Sequence, residues 1–258
     1  MNRAGQDADA ARVAGWVRDA AAVTVLTGAG ISTESGIPDF RGPQGLWTRD
    51  PGAQRLFDFD AYVRDRDLRV RAWRNRREHP AWTARPNAGH RALVDLERSG
   101  RLLAVVTQNI DGLHHLAGTS PELIVEVHGT VWEVECLSCH RRWPTPQILT
   151  RVDAGEPDPP CELCGGILKT ATISFGQSLQ PRVLAAARDA ALGADLFLAA
   201  GTSLTVQPAA SLAGVAVEHG ARLVVVNAEP TPYDERADAV LRNRLGEVLP
   251  LLFGGLAA

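Results

Sequence analysis

The sequence predicts an α/β protein: a parallel sheet with helices on both faces and a smaller unit inserted into it. Three observations carry this. Apolar runs at residues 23–26, 102–107, 195–200 and 222–226 alternate with stretches of helical period. Continuous apolar strands of this kind belong to sheets covered on both faces. Each run ends in glycine or polar residues, and open α/β sheets bind ligands beyond the carboxyl ends of their strands. All four cysteines fall within residues 136–164, where the alternation breaks off.

Composition bounds the rest. The chain has 258 residues, 45% hydrophobic and 22% charged, which suits one large domain with a smaller appendage. No apolar run is long enough to cross a bilayer. The polar first ten residues carry no signal-peptide core, so a cytoplasmic location is expected. Net charge is -3, which argues against a specific nucleic-acid partner. A monomer is the default expectation. Lys169 is the only lysine, and the wealth of arginine reads as codon bias.

Taken in order, residues 9–20 read as a short amphipathic helix with Val13, Trp16 and Val17 on one side. A buried strand follows at 23–27. Gly28, Ala29 and Gly30 come where it ends. Glycine lets the backbone turn and brings a ligand close to bare amides. A helix beginning after Gly30 would aim free N–H groups at a pyrophosphate. The third glycine of G-x-G-x-x-G would fall at Thr33, so the dinucleotide fingerprint is incomplete, and an ordinary strand-to-helix turn is the plainer alternative. Residues 43–48 read as a loop and 55–78 as helical. The seven arginines between Arg64 and Arg77 read as a solvated face, since few aromatics are there to stack bases. A helix over 86–97 ends at Gly100, and a second buried strand at 102–107 runs into Gln108, Asn109 and Asp111. A third strand, 123–127, runs into His128. After the cysteine segment come a strand at 195–200, a helix at 207–219, a strand at 222–226, an edge strand at 238–241 and a closing helix at 244–253.

Cys136 and Cys139 form one C-x-x-C knuckle, Cys161 and Cys164 another, with 21 residues between them. Four thiolates on two tight turns suit tetrahedral Zn²⁺, and with no open position the zinc would be structural. Cys136-Leu-Ser-Cys139-His140 also fits c-type haem attachment, which would need export and would leave Cys161 and Cys164 unexplained. Redox dithiols are the other alternative.

His128 is placed to be a general base, the task for which imidazole is suited near neutral pH. It follows a buried strand and shares a sheet edge with Asn109 and Asp111. His114 and His115 are assigned to structure or surface. The strand ends Gly28–Gly30, Gln108–Asp111, Gly201–Ser203 and Asn227–Glu229 would gather on one edge, where amides and hydroxyls fit phosphate and ribose.

The stretch from Gly28 to Gly42, Thr107-Gln-Asn-Ile-Asp-Gly-Leu-His114, Val127-His-Gly129, the paired knuckles and Gly201-Thr-Ser-Leu204 closely resemble the sirtuin family, in order over residues 20–250. The resemblance implies NAD-dependent removal of acyl groups from lysines of a protein or peptide substrate, yielding nicotinamide and O-acyl-ADP-ribose. It implies a Rossmann-like domain (1–47, 83–130 and 171–258) and a small domain of helical module and zinc ribbon (48–82 and 131–170). It further implies His128 and Asn109 as catalytic residues. Gly28, Ala29, Gly30, Ile31 and Thr33 would line the pyrophosphate and ribose pocket, with Asp39, Phe40 and Arg41 beside the reacting ribose. Gln108, Asn109, Ile110 and Asp111 would hold ribose and nicotinamide. Gly201, Thr202, Ser203, Asn227 and Glu229 would contact the adenosine half. Phe175, Gly176 and Val206 would flank the peptide as an added strand.

Three departures bear on specificity. Gln177 stands where many members have glutamate. Trp73 and Arg76 stand where desuccinylating members have Tyr-x-x-Arg, which favours a neutral acyl group. Residues 42–47 resemble members with weak deacetylase activity, which keeps mono-ADP-ribosyl transfer or NAD hydrolysis as the alternative reaction.

Overall fold

The computed structural model describes residues 3–43 and 45–256. Helix α1 (Arg3–Asp19) buries Val13 and Val17, and its Trp16 lies under the guanidiniums of Arg12 and Arg222. Strand β1 (Val23–Thr27) is wholly buried. The turn after it is a 3₁₀ helix, Ala29–Ser35, rather than the expected α-helix. The stretch 43–48, expected as loop, contains the short helix α2 (Leu46–Arg49).

The single helix expected over 55–78 is broken in two places. A 3₁₀ turn (Pro51–Phe57), α3 (Phe59–Arg64) and α4 (Arg66–Arg77) replace it. The breaks fall at Asp58 and Asp65, whose carboxylates accept the N–H groups of Ala61 and Leu68 at 2.7 and 3.0 Å. Each aspartate starts a new helix by capping it. Helix α5 (Ala88–Arg98) begins with a capping box between Asn87 and His90 and ends before Gly100 at φ 73°, as the glycine foretold.

Strand β2 (Leu102–Thr107) leads to α6 (Leu113–Ala117) and β3 (Ile124–Glu126), which is half-buried rather than buried. Strand β4 (Gly129–Cys136), β5 (Arg142–Pro144), α7 (Thr145–Asp153) and β6 (Leu168–Thr172) follow, then α8 (Pro181–Leu192), none of which the sequence reading placed. Strand β7 (Leu196–Ala200), α9 (Ser211–Glu218), β8 (Arg222–Val226), β9 (Ala239–Leu241) and α10 (Leu245–Phe253) complete the chain. Helix α9 is shorter than expected, because residues 206–210 form turns.

The large sheet has the order β3-β2-β1-β7-β8-β9 with every pair parallel. Helices α1, α5 and α10 pack one face and α8 and α9 the other. The chain steps outward from β1 through β2 to β3, then returns to lay β7 on the other side of β1. That reversal opens a crevice above β1 and β7, the place where such sheets take ligands. The second sheet is antiparallel, β5-β4-β6, with Trp73, Val134, Ile148 and Leu168 packed around Cys136 and Cys161. Lys169, on β6, is buried with its ammonium on the carbonyls of Thr170 and Thr172. Burial, then the neighbouring Arg76, pushes its pKa down to about 7. No helix of the described residues is long and apolar enough to cross a membrane.

Burial also depresses three histidines: His79 to about 3, His90 to about 4 and His114 well below its ordinary value. The unfolded chain takes up these protons below about pH 6.5. The folded chain does not until far lower pH, so its stability is full above 6.5 and falls as pH drops toward the folded values. Each histidine contributes up to about 1.4 kcal/mol per pH unit to that fall. The urea midpoint should therefore decline between pH 7.5 and 5. Equal midpoints would mean that these rings are hydrated in solution.

Candidate active site

The loops that follow β1 and β7 meet at the crevice floor. Gly28 N–H donates to Ala200 C=O at 3.1 Å, and Gly30 N–H to Gly201 C=O at 2.9 Å. A Cβ on Gly28 would lie 2.6 Å from the Gly201 oxygen, and one on Gly30 2.7 Å from Gly201 Cα. Both glycines are thus required by the close approach of two strand ends. Their amides are engaged there rather than bare, which corrects the reading of them as free anion donors. Ala29 is half-buried. Thr33 is exposed and donates its hydroxyl to Gly30 C=O at 2.9 Å.

Above this floor the residues after β2 form a buried network. Asn109 Nδ2 donates to Ser32 Oγ at 3.1 Å, and Ser32 Oγ donates to Asp111 Oδ2 at 2.7 Å. Burial raises the Asp111 pKa, opposed by bonds from Leu113 N–H and Ser32. Gln108 Nε2 donates to Thr202 Oγ1 at 2.8 Å, tying the β2 end to the β7 end. Ser203 pairs with Thr205 at 2.8 Å, and Asn227 Nδ2 donates to the carbonyl of the exposed Glu229 at 2.8 Å. Ile110 is half-buried, and its carbonyl accepts Val131 N–H at 2.9 Å. Ser32, the centre of this network, was passed over as a site residue although it stands inside the glycine stretch.

His128 Nδ1 lies 3.0 Å from the Gln108 carbonyl oxygen. A carbonyl only accepts, so Nδ1 carries the hydrogen and Nε2 keeps a free lone pair. Burial lowers the His128 pKa, partly offset by that bond, so the ring is neutral at pH 7. His114, assigned to structure, is buried with Nε2 3.0 Å from Thr27 Oγ1, and half-exposed His115 faces Glu126.

The opposite wall is aromatic. Phe40 packs on Trp47 (4.8 Å between centroids) and Phe57 (5.6 Å), Trp47 on Phe175 (5.6 Å), and the Arg41 guanidinium lies 4.5 Å above Trp47. The Asp39 carboxylate accepts Gly42 N–H at 3.0 Å and so closes its own loop. Phe175 has both main-chain groups on 57–59: its N–H reaches Phe57 C=O at 2.7 Å and its carbonyl accepts Phe59 N–H at 2.9 Å. Gly176 turns away at φ 87°, and Val206 is half-exposed. The Gln177 amide oxygen accepts Ser174 N–H at 2.9 Å, a bond that a carboxylate would also accept. Trp73 packs in the core of the small sheet, and Arg76 donates to Thr170 Oγ1 at 3.2 Å.

The four cysteine sulfurs all lie within 4.8 Å of one another, with Cys136–Cys164 at 3.5 Å and Cys139–Cys161 at 3.7 Å. Zn–S bonds of about 2.3 Å in a tetrahedron imply S···S spacings of about 3.8 Å. The cluster fits a closed structural zinc site.

The family model described as "Sir2 family" matches residues 28–208, most of the chain and nearly every group just described. The chain belongs to the Sir2 family. Among its sirtuin relatives, "NAD-dependent protein deacetylase 2" of Streptomyces coelicolor is 56% identical over 234 residues, covering 91% of this chain and 97% of the relative. A solved structure described under the mechanism and regulation of Sir2 enzymes superposes with a TM-score of 0.87 at 36% identity, over 97% of this chain and 98% of that one. A Sir2 bound to acetylated peptide does so at 0.84 and 31% identity, over 96% and 99%.

Proposed function

We propose that this sirtuin is an NAD-dependent protein lysine deacylase, with the base that serves it at His128. The observation that carries the assignment is the fixed tautomer: Nδ1–H is held by Gln108 C=O, and Nε2 is free to accept a proton. The donor set at the β1/β7 crevice fits a dinucleotide. Ser203, Asn227 and Thr33 offer polar groups at one end, and Gln108, Asn109 and Asp111 at the other. When bound, NAD supplies the ribose whose bond to nicotinamide breaks and which takes up the acyl group.

The chain's own part is to position and to move a proton. Asn109 and Asp111 are locked by Ser32, so their polar atoms are pre-oriented, which lowers the cost of ordering a ligand. The aromatic wall of Phe40, Trp47, Phe57 and Phe175 excludes water from the acyl chain. Because Phe175 is already paired with 57–59, a substrate strand adds on its other side, toward Val206.

The test is a product assay by mass spectrometry with NAD and a panel of acetyl-, succinyl- and long-acyl-lysine peptides. Deacylated peptide together with O-acyl-ADP-ribose, formed only with NAD, is the expected result. With tryptophan at 73 there is no tyrosine hydroxyl, and Arg76 is engaged with Thr170, so succinyl peptides should be the poorest. Nicotinamide release without deacylation would overturn the proposal in favour of ADP-ribosyl transfer or NAD hydrolysis.

A further inference from the structure

The loop Gln108–Gly112 is anchored from two sides. Its first half belongs to the large sheet: Gln108 N–H donates to Thr27 C=O and Asn109 N–H to Thr107 Oγ1. Its second half is held by the other sheet. Val131 N–H takes the Ile110 carbonyl at 2.9 Å, and the Trp132 indole N–H takes the Asp111 carbonyl at 2.7 Å. The peptide plane that sets the direction of the Asp111 side chain is thus fixed by a tryptophan on β4.

A second, independent observation marks the same contact. Gly112 has φ 73°, and a Cβ there would lie 2.6 Å from Trp132 Nε1. The indole occupies the space that any other residue at 112 would fill. The ring is itself held, edge-on to Trp82 at 4.9 Å and 88°, and Trp82 Nε1 donates to the Arg76 carbonyl at 2.7 Å. Four residues further along β4 lies Cys136, one of the four clustered thiols.

We infer that Trp132 is a positioning residue for the nicotinamide side of the site, acting through the Asp111 carbonyl. The inference rests on the proposed function, since it assigns that loop to the cofactor. Trp132 holds Asp111, whose carboxylate holds Ser32, whose hydroxyl holds Asn109. Removing one hydrogen bond would let this chain of contacts relax while the indole's packing partners stay in place.

The decisive variant is Trp132→Phe, which keeps an aromatic ring beside Trp82 and removes the N–H together with the smaller ring of the indole. Expected are a KM for NAD and an inhibition constant for nicotinamide each raised about tenfold, on the scale of one hydrogen bond to a buried group. The KM for acyl-peptide should move less than twofold, with zinc content and Tm as in the wild type. Trp82→Phe, which removes a hydrogen bond to the Arg76 carbonyl and none to Asp111, should move the NAD and nicotinamide constants less than twofold. Wild-type constants in Trp132→Phe would overturn the inference, as would NAD and peptide constants worsening together with zinc loss. If Trp132→Phe does not fold, hydrogen exchange on the wild type decides. Residues 108–112 and 129–136 should gain protection together when NAD binds, and protection confined to 108–112 overturns the inference. Wild-type protein without NAD-dependent deacylation would instead strike at the proposed function.

Discussion

Replacing His128 with alanine should lower kcat/KM for deacylation by roughly 10²-fold or more, the range a positioned general base contributes. Zinc content and melting temperature should hardly change, since among the described residues the His128 side chain hydrogen-bonds only to Gln108 C=O, and its main-chain bond from Ile173 N–H survives in alanine. The pH profile gives a second reading of the same role. A base with a depressed pKa stays neutral, and therefore competent, below the ordinary histidine value of about 6.5. The acidic limb of kcat/KM should thus lie below pH 6.5 in the wild type and vanish in the variant. Unchanged turnover in His128→Ala would remove the assignment altogether.

Replacing Cys161 with serine should yield insoluble or unfolded protein. Structural zinc in small modules is worth about 10–16 kcal/mol of binding free energy, which is also folding free energy. That matches or exceeds the whole stability of a typical domain, about 5–15 kcal/mol. The sheet β5-β4-β6 cannot make up such a loss, because its buried core is confined to Trp73, Val134, Ile148, Leu168 and two of the cysteines themselves. Metal analysis of the wild type should give about one zinc per chain, the stoichiometry of a four-cysteine site. A soluble, cooperatively folding and metal-free Cys161→Ser protein would refute the structural role.

How far the sequence revealed this molecule depends on how each element is stabilised. β1, β2, β7 and β8 were legible because strands buried on both faces must be continuously apolar, as Val23–Thr27 and Leu196–Ala200 are. β4 was not. Its register shifts between Gly129 and Val134, so the two-residue alternation that betrays a half-buried strand is broken. α8 hid for another reason: its buried face is Ala187, Ala190 and Ala191, side chains too small to draw an apolar stripe. Pro181 at its first turn and Gly193 at its end were the signals available.

The candidate site divides the same way. Gly28, Gln108, Asn109 and His128 lie at strand ends, a place that topology alone marks. The bonds between Ser32 and Asp111, 79 residues apart, and between Trp132 and Asp111 join different segments of the fold. No local pattern encodes such a pairing. The arginine-rich stretch was read as a solvated face, yet Arg69 is largely buried on Asp158 at 3.0 Å and Arg76 donates to Thr170 Oγ1, while Asp58 and Asp65 each end one helix and begin the next.

Lys169 has a consequence outside the site. It is the chain's single lysine and lies in the interior, its amine on two backbone carbonyls. An enzyme that strips acyl groups from lysine thus displays no lysine side chain of its own. Acyl phosphates and acyl thioesters, which modify exposed amines indiscriminately, find no ε-amine here to cap. Chemical acylation of lysine, the modification this enzyme reverses, is thereby kept off its own surface side chains.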